Sequence, residues 1–508
     1  MKITIFERKG EHKMNTFMNG LIDTTNVAKT ENGAITHRTT KSAVLDMFAL
    51  CGAYRRRSDE DCILAFKNAF EEDAVLALKC LFYLRDCRGG QGERRFFRVC
   101  FRWLADNYSK AAIRNLSNVS EFGRWDDLIY STIDTKIETQ ALAIVAKQLA
   151  LDMDCKTPSL LAKWMPSENA SSKETKRVAG IVRSRLGMSH KDYRKTLSTL
   201  RTKINIVEKL MSQNRWDEIE FDKIPSKAGL IYKNAFARRD IIAKKYENFA
   251  KSENTKVNAE VLNPVDIANK IFCNYGYTGS ETDRAILQKY WDNLKDYYNG
   301  REENGLAIVD VSGSMTGQPM NAAVSMGAYI AERGRGPFAN HFITFSSDPQ
   351  LVKFEGVDIV DKFLRARKAD WGMTTNIEAV FEMLLNIAKR EGTKVEDMPQ
   401  TLYIFSDMEF DDCITSSKPR VARWSYSEDE IETLLEKIAK DWAAAGYELP
   451  RVIFWNLDAR SQNIPALGGR FSYVSGFSMN MVETVLSGKD GWDLCLEKLM
   501  SERYALVK

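Results

Sequence analysis

Three oxygen-bearing side chains alternate along DVSGSM: Asp310, Ser312 and Ser314. An extended turn through D-x-S-x-S can point all three to one side, supplying a carboxylate and two hydroxyls, and Gly313 lets the backbone bend closely there. Mg²⁺ takes oxygen ligands in near-octahedral geometry and keeps several waters, and Mn²⁺ or Ca²⁺ accept the same donor types. Three oxygens make half of such a site. The other half is expected from WGMTTN (371–376), which offers Thr375 or Thr374 just before a helix, and from Asp407 at the end of TLYIFSD (401–407). With few anionic ligands the ion keeps an open position, which the carboxylate of an acidic protein partner can fill. None of these residues pairs a nucleophile with a base, and His341 opens its strand at the end opposite the site. A binding site is therefore expected, and no catalytic residue is assigned. Metal-activated water leaves a hydrolase as the remaining alternative.

These donors depend on strands that end where they stand. GLAIVD (305–310), HFITFSS (341–347), TLYIFSD and RVIFWNL (451–457) are compact apolar runs. They alternate with the helical stretches MNAAVSMGAYIAERG, NIEAVFEMLLNIAKR (376–390) and DEIETLLEKIAKDWAAAG (429–446). Such alternation predicts a doubly wound α/β domain over 301–508, with a parallel sheet covered on both faces. Ligands of such sheets bind beyond the carboxyl ends of the strands, where Asp310 and Asp407 fall. Motif, chain order and placement resemble the metal-ion-dependent adhesion site of von Willebrand factor A domains. That resemblance matches Asp310, Ser312 and Ser314 to its first motif, Thr375 in preference to Thr374 to its second, and Asp407 to its third.

Residues 1–37 read as an irregular N-terminal segment, and 38–300 as an all-α module. KSAVLDMFALCGAY, DCILAFKNAFEEDAVLALKCLFYLRD and RRFFRVCFRWLADNY space their apolar residues at three and four. Breaks fall at RGGQGE (88–93), EFGRWDD (121–127), KTPS (156–159) and DKIPSKAG (222–229). Short helices joined this tightly are expected to stack as antiparallel pairs in a helical-repeat, HEAT-like array. RGGQGE follows a helix and lacks the spacing of a nucleotide-binding loop, so it reads as a tight interhelical turn with Arg85 and Arg88 as anion contacts.

Charge is unevenly spread. Lys163 to Lys245 holds twenty Lys/Arg against nine Asp/Glu, so against a net charge of +4 the rest of the chain sums to −7. A basic segment beside an acidic remainder suits a polyanionic partner. Within 189–236 the basic residues interleave with Tyr193, Trp216, Tyr232 and Phe236, although burial tendencies place Trp and Phe in a core ahead of a stacking surface. This stretch, with LRDCRGGQGERRFFR (84–98), FGRWDDL (122–128) and SDMEFDD after the third strand, resembles a family defined by an uncharacterised domain. In it a helical module related to the TROVE domain precedes a von Willebrand factor A domain, with the Ro ribonucleoprotein as a distant relative. The resemblance runs from about Gly33 onward. It implies a ring of helical repeats with RNA on a basic surface or in the central hole. The candidate RNA contacts are Arg183, Arg185, Lys191, Arg194, Lys195, Arg201 and Lys203. The expected function is a non-enzymatic RNA-binding scaffold with a Mg²⁺-dependent ligand site. The alternative is a metal-dependent protein-interaction module without RNA.

The 44% hydrophobic and 28% charged residues of the 508 exclude a disordered or membrane-embedded chain. No apolar run approaches the roughly 20 residues of a bilayer span, and MKITIFERKGEHKMN lacks the apolar core of a signal peptide. Nine cysteines, an odd number without CxxC pairs or zinc spacing, fit buried thiols in a cytoplasmic, reducing compartment.

Overall fold

A computed structural model describes residues 25–204, 206–272, 276–345, 349–368, 375–411 and 433–508. Thr374, residues 1–24 of the irregular segment, Ser346, Ser347, Cys273, Cys413 and the first turn of the helix expected from residue 429 lie outside them.

The first two-thirds are helical, as the three- and four-residue spacing predicts. Asp59–Glu72 opens on a capping box: Ser58 Oγ accepts the Asp61 N–H at 3.1 Å and the Asp61 carboxylate accepts the Ser58 N–H at 3.3 Å. It buries Cys62, Phe66 and Ala69, one face at helical spacing. The periodic run 61–86 is two helices, because Asp73 turns extended and its Oδ1 accepts the Leu76 N–H at 2.9 Å, capping Ala74–Arg85. Arg94–Asn107 buries Phe97, Cys100, Phe101 and Leu104 and leaves Arg95 and Arg98 on its other side.

RGGQGE is a tight interhelical turn. Its amides are used internally, Gly90 and Gly92 donating to Asp86 O and Gln91 to Tyr83 O. A Cβ on Gly90 would overlap the Tyr83 carbonyl, so only glycine fits. Arg85 is not offered to an outside anion, whereas Arg88 is exposed and has no carboxylate partner among the described residues. Arg85 is buried on Asp127, with Nε at 2.8 Å and Nη2 at 2.5 Å, and Arg88 donates to Glu121 O.

The last third carries a six-stranded sheet. A two-stranded hairpin, β1 (Val27–Lys29) and β2 (Ile35–His37), precedes the helices. The large sheet holds β3 (Gly305–Asp310), β4 (His341–Phe345), β5 (Gln350–Lys353), β6 (Thr401–Ser406), β7 (Arg451–Asn456) and β8 (Phe471–Ser475), in the order β5-β4-β3-β6-β7-β8. It is mixed where a parallel sheet was expected: β5 runs antiparallel to β4, pairing Phe342 with Val352. The connection from β4 to β5 is too short for a helical crossover, so an antiparallel return is the available geometry. β6 is buried along its whole length, which explains its continuous apolar run. Gln318–Arg333 packs on the sheet, and Pro264–Ile271 packs on that helix.

The two regions grip each other closely. Ala43–Leu50 packs on β8, and Gly52 donates to Ser475 Oγ at 3.0 Å where a Cβ would stand 2.6 Å from the Ser475 carbonyl oxygen. Residues 501–508 return to the helices. Arg503 pairs with the buried Asp86, Tyr504 stacks on Phe122 at 5.4 Å, and Asn118 donates to Leu506 O at 3.0 Å. Cys51, Cys62, Cys80, Cys100 and Cys495 are buried free thiols. Among the described residues no helix is long and apolar enough to cross a membrane.

Candidate metal centre and basic cavity

Asp310 is the last residue of β3 and is fully buried. Its Oδ1 accepts the Ser312 N–H at 2.9 Å, closing a turn on the carboxylate, and its Oδ2 accepts the Ser406 hydroxyl from neighbouring β6 at 2.5 Å. Ser312 is extended and opens a 3-10 turn over Gly313–Met315, which leaves Ser312 Oγ and Ser314 Oγ 3.0 Å apart. Asp407 follows β6 directly and is buried. Beyond it Met408 adopts a left-handed backbone (φ 65°), a conformation that costs a non-glycine residue about 1 kcal/mol or more. That bend lets Asp407 Oδ1 accept the Glu409 N–H at 3.2 Å.

The carboxyls here are electrostatically strained. Burial first, and then the charge of Asp407, raise Asp310 well above the usual carboxylate range; hydrogen bonds from Ser406 and Ser312 pull the other way. Burial raises Glu409 and Asp458 too, with Asp407 adding to each. A hard cation would relieve this excess of buried negative charge, and the carboxylate-plus-hydroxyl donor set fits one. Among the described residues no three His, Cys, Asp or Glu form a cage, so an ion here depends on the serine hydroxyls.

Asp310, Ser312, Ser314 and Asp407 are thus gathered at neighbouring strand ends. Thr375 stands just before the helix Ile377–Glu391 and is tied to the stretch after Asp407: its N–H donates to Asp411 Oδ2 at 2.8 Å and its carbonyl accepts the Asp411 N–H at 3.1 Å. His341 opens β4 and holds Ala339 O through Nδ1 at 2.8 Å, a structural role. Sequence reasoning missed Ser406, Arg460 and the β1–β2 turn. Arg460 Nη2 lies 2.7 Å from Asp407 Oδ2, and its Nη1 lies 3.2 Å from Glu31 Oε2. Its one signal was placement, four residues past β7 in WNLDAR.

A second feature lies between the helices and the sheet domain, a cavity of about 1460 Å³. Arg94, Arg124, Trp164, Arg194, Arg201 and Lys209 are among the residues lining it. The Arg124 guanidinium stacks on Trp164 at 3.9 Å and pairs with Asp126 at 2.7 Å. Arg201 donates to the carbonyls of Ala162 and Met165 and to Ser167 Oγ, at 2.8 to 3.0 Å. Arg194 holds only the His190 carbonyl, and Lys209 the Ser198 hydroxyl. Arg94, Arg194, Arg201 and Lys209 have no carboxylate partner among the described residues. Burial, then the charges of Arg98 and Arg124, lower the pKa of Arg94, as expected of a cation among cations.

Of the seven basic residues singled out in the sequence, Arg194 and Arg201 line this cavity. Arg183 is held by Glu168 at 3.0 Å, Arg185 by Glu138 at 2.8 Å, and Lys203 by Met153 O at 2.7 Å. Lys191 and Lys195 are exposed on one face of His190–Lys203. Tyr193, Trp216 and Phe236 are core residues, and Tyr232 is half-buried. Trp164, which the sequence did not single out, is the cavity's indole.

Residues 30–133 and 139–299 match the family described as Domain of unknown function (DUF2828), and residues 304–503 match Domain of unknown function (DUF7788). The first match spans more than half the chain, and the chain belongs to the DUF2828 family. It is 30% identical to the uncharacterized protein L728 of Acanthamoeba polyphaga mimivirus, over 92% of this chain and 85% of that one. The crystal structure of the Deinococcus radiodurans Ro (RSR) protein aligns with 91% of this chain and 99% of its own, at TM-score 0.47 and 13% identity.

Proposed function

We propose that this protein is a non-enzymatic RNA-binding scaffold whose sheet domain, of the von Willebrand factor A type, holds Mg²⁺ in a metal-ion-dependent adhesion site. The observation that carries the RNA reading is the cavity. Four of its cations lack carboxylate partners among the described residues, and they lie with Trp164 in one concavity. Guanidinium and ammonium groups neutralise phosphates with little regard to sequence, and Trp or Arg planes stack unpaired bases. The test is fluorescence anisotropy of a labelled single-stranded RNA with the purified full-length protein at low salt. Binding that weakens with salt supports the reading; no binding at low salt refutes it.

A second reading, a metal-dependent protein-interaction module, is favoured by the raised carboxyls around Asp407. Asp310, Ser312, Ser314, Thr375 and Asp407 would hold the ion, whose open position would take a partner's carboxylate. A partner captured in Mg²⁺ should be released by chelation and lost in Asp310→Ala. Capture indifferent to both treatments sinks this reading.

A further inference from the structure

The strand ends that would hold the ion are closed over by another part of the chain. The β1–β2 turn lies on the stretch that follows Asp407 and binds it through Thr30, Glu31, Asn32 and Gly33. Thr30 Oγ1 donates to Phe410 O at 2.6 Å, and the Glu31 N–H donates to Glu409 Oε2 at 2.7 Å. Asn32 Nδ2 reaches both Glu409 O at 2.6 Å and Thr375 Oγ1 at 3.4 Å, and Gly33 bridges to Asp411. The turn therefore ties together the two loops that carry Thr375 and Asp407.

Arg460 joins this turn to the candidate ligand itself. One end of its guanidinium rests on Asp407 Oδ2, the other on Glu31 Oε2. The carboxylate it neutralises has no exposed side-chain surface, whereas Glu31 is about half exposed (51%). Asp310, Ser312, Thr375 and Asp407 are each 2% exposed or less. A site that takes a partner's carboxylate needs an approach from solvent, and of the five candidate ligands only Ser314 is partly exposed.

We infer that Arg460 is a resident counter-cation of Asp407, displaced when a divalent ion binds, and that its displacement loosens the Thr30–Gly33 turn. This rests on the metal reading above. A divalent ion and a guanidinium on one buried carboxylate repel each other strongly in a low-dielectric setting. Ion binding and docking of the turn therefore oppose each other, and by reciprocity whatever lifts the turn tightens the ion. Glu31 and Asn32 keep the face shut in the ion-free protein; with the ion bound, Thr375 and the ion's open position become reachable.

The test uses the full chain and Mn²⁺ alone as probe, with free Mn²⁺ followed by its electron paramagnetic resonance signal. Arg460→Ala and the bulkier Arg460→Gln should each bind Mn²⁺ at least tenfold more tightly than the wild type, and Asp310→Ala should abolish binding. In the wild type, saturating Mn²⁺ should speed hydrogen exchange at the amides of residues 31–34 at least tenfold. If Asp310→Ala abolishes binding but the Arg460 variants bind no tighter, or exchange in the turn stays constant, the inference is overturned and the metal reading stands. If the wild type and both Arg460 variants bind no Mn²⁺, the metal reading fails and takes the inference with it.

Discussion

Removing cavity cations should change how RNA binding responds to salt, by an amount set by their number. Arg94 and Arg194 are the suitable targets, since among the described residues neither forms an ion pair whose loss would strand a buried charge. Arg201 is less suitable because it braces Ala162, Met165 and Ser167. If the four unpaired cations each neutralise one phosphate of a single strand, log K falls with log[salt] at a slope of about −2.8, so affinity drops about 50-fold from 50 to 200 mM KCl. Arg94→Ala combined with Arg194→Ala halves the slope to about −1.4, and the same salt step then costs only about 7-fold. The assay is anisotropy of a labelled 20-nucleotide RNA across that salt range, with circular dichroism to confirm the fold. A wild-type slope flatter than about −1, or equal slopes for wild type and double variant, would refute the assignment of phosphate binding to this cavity.

Two further outcomes follow from buried pairs. Asp127 accepts from Arg85, Arg98 and the Arg124 N–H with no exposed side-chain surface, so Asp127→Ala strands a buried guanidinium and should lower the unfolding free energy by about 3–5 kcal/mol in urea titrations. A loss under about 1 kcal/mol would show that Arg85 finds another partner. Burial works against Glu436, but bonds from His37 and the Thr433 N–H outweigh it and hold its carboxyl at about 2. A depressed carboxyl contributes stability above its ordinary value of 4.5 and loses it as pH falls from there toward about 2. Glu436→Gln should therefore cost about 1–2 kcal/mol at pH 7 and almost nothing at about pH 2; a pH-independent cost would contradict the pairing.

What the sequence disclosed and what it concealed divide by distance along the chain. Asp310, Ser312 and Ser314 were legible because one local turn gathers them, and the Asp407 position because an apolar strand ends there. The helices were legible from apolar spacing, yet the break at Asp73 was not, since a single aspartate capped the following helix within an unbroken periodic run. The edge strand β5 escaped notice because its four residues carry no apolar alternation strong enough to register. Arg460 pairs with Glu31 across more than four hundred residues, and nothing local marks either. Charge counting found the basic segment but could not see that Glu138, on an earlier helix, and Glu168, in a turn of the segment itself, already hold Arg185 and Arg183. Of the cavity's unpaired cations, Arg194, Arg201 and Lys209 come from that segment, while Arg94 lies well upstream of it.

The docking of residues 501–508 on the first helices has a consequence for biosynthesis. Asp86 is buried on Arg503, and Phe122 lies beneath Tyr504. A ribosome exposes Asp86 and Phe122 long before it exposes Arg503, and at 5–20 residues per second the interval is about 20–80 s. Throughout that time the nascent helices carry an uncompensated carboxylate and an open aromatic face. Chaperone occupancy on the segment around 80–125 should therefore persist until residues 501–508 have left the ribosome and docked, so that the helical region is synthesised first and sealed last.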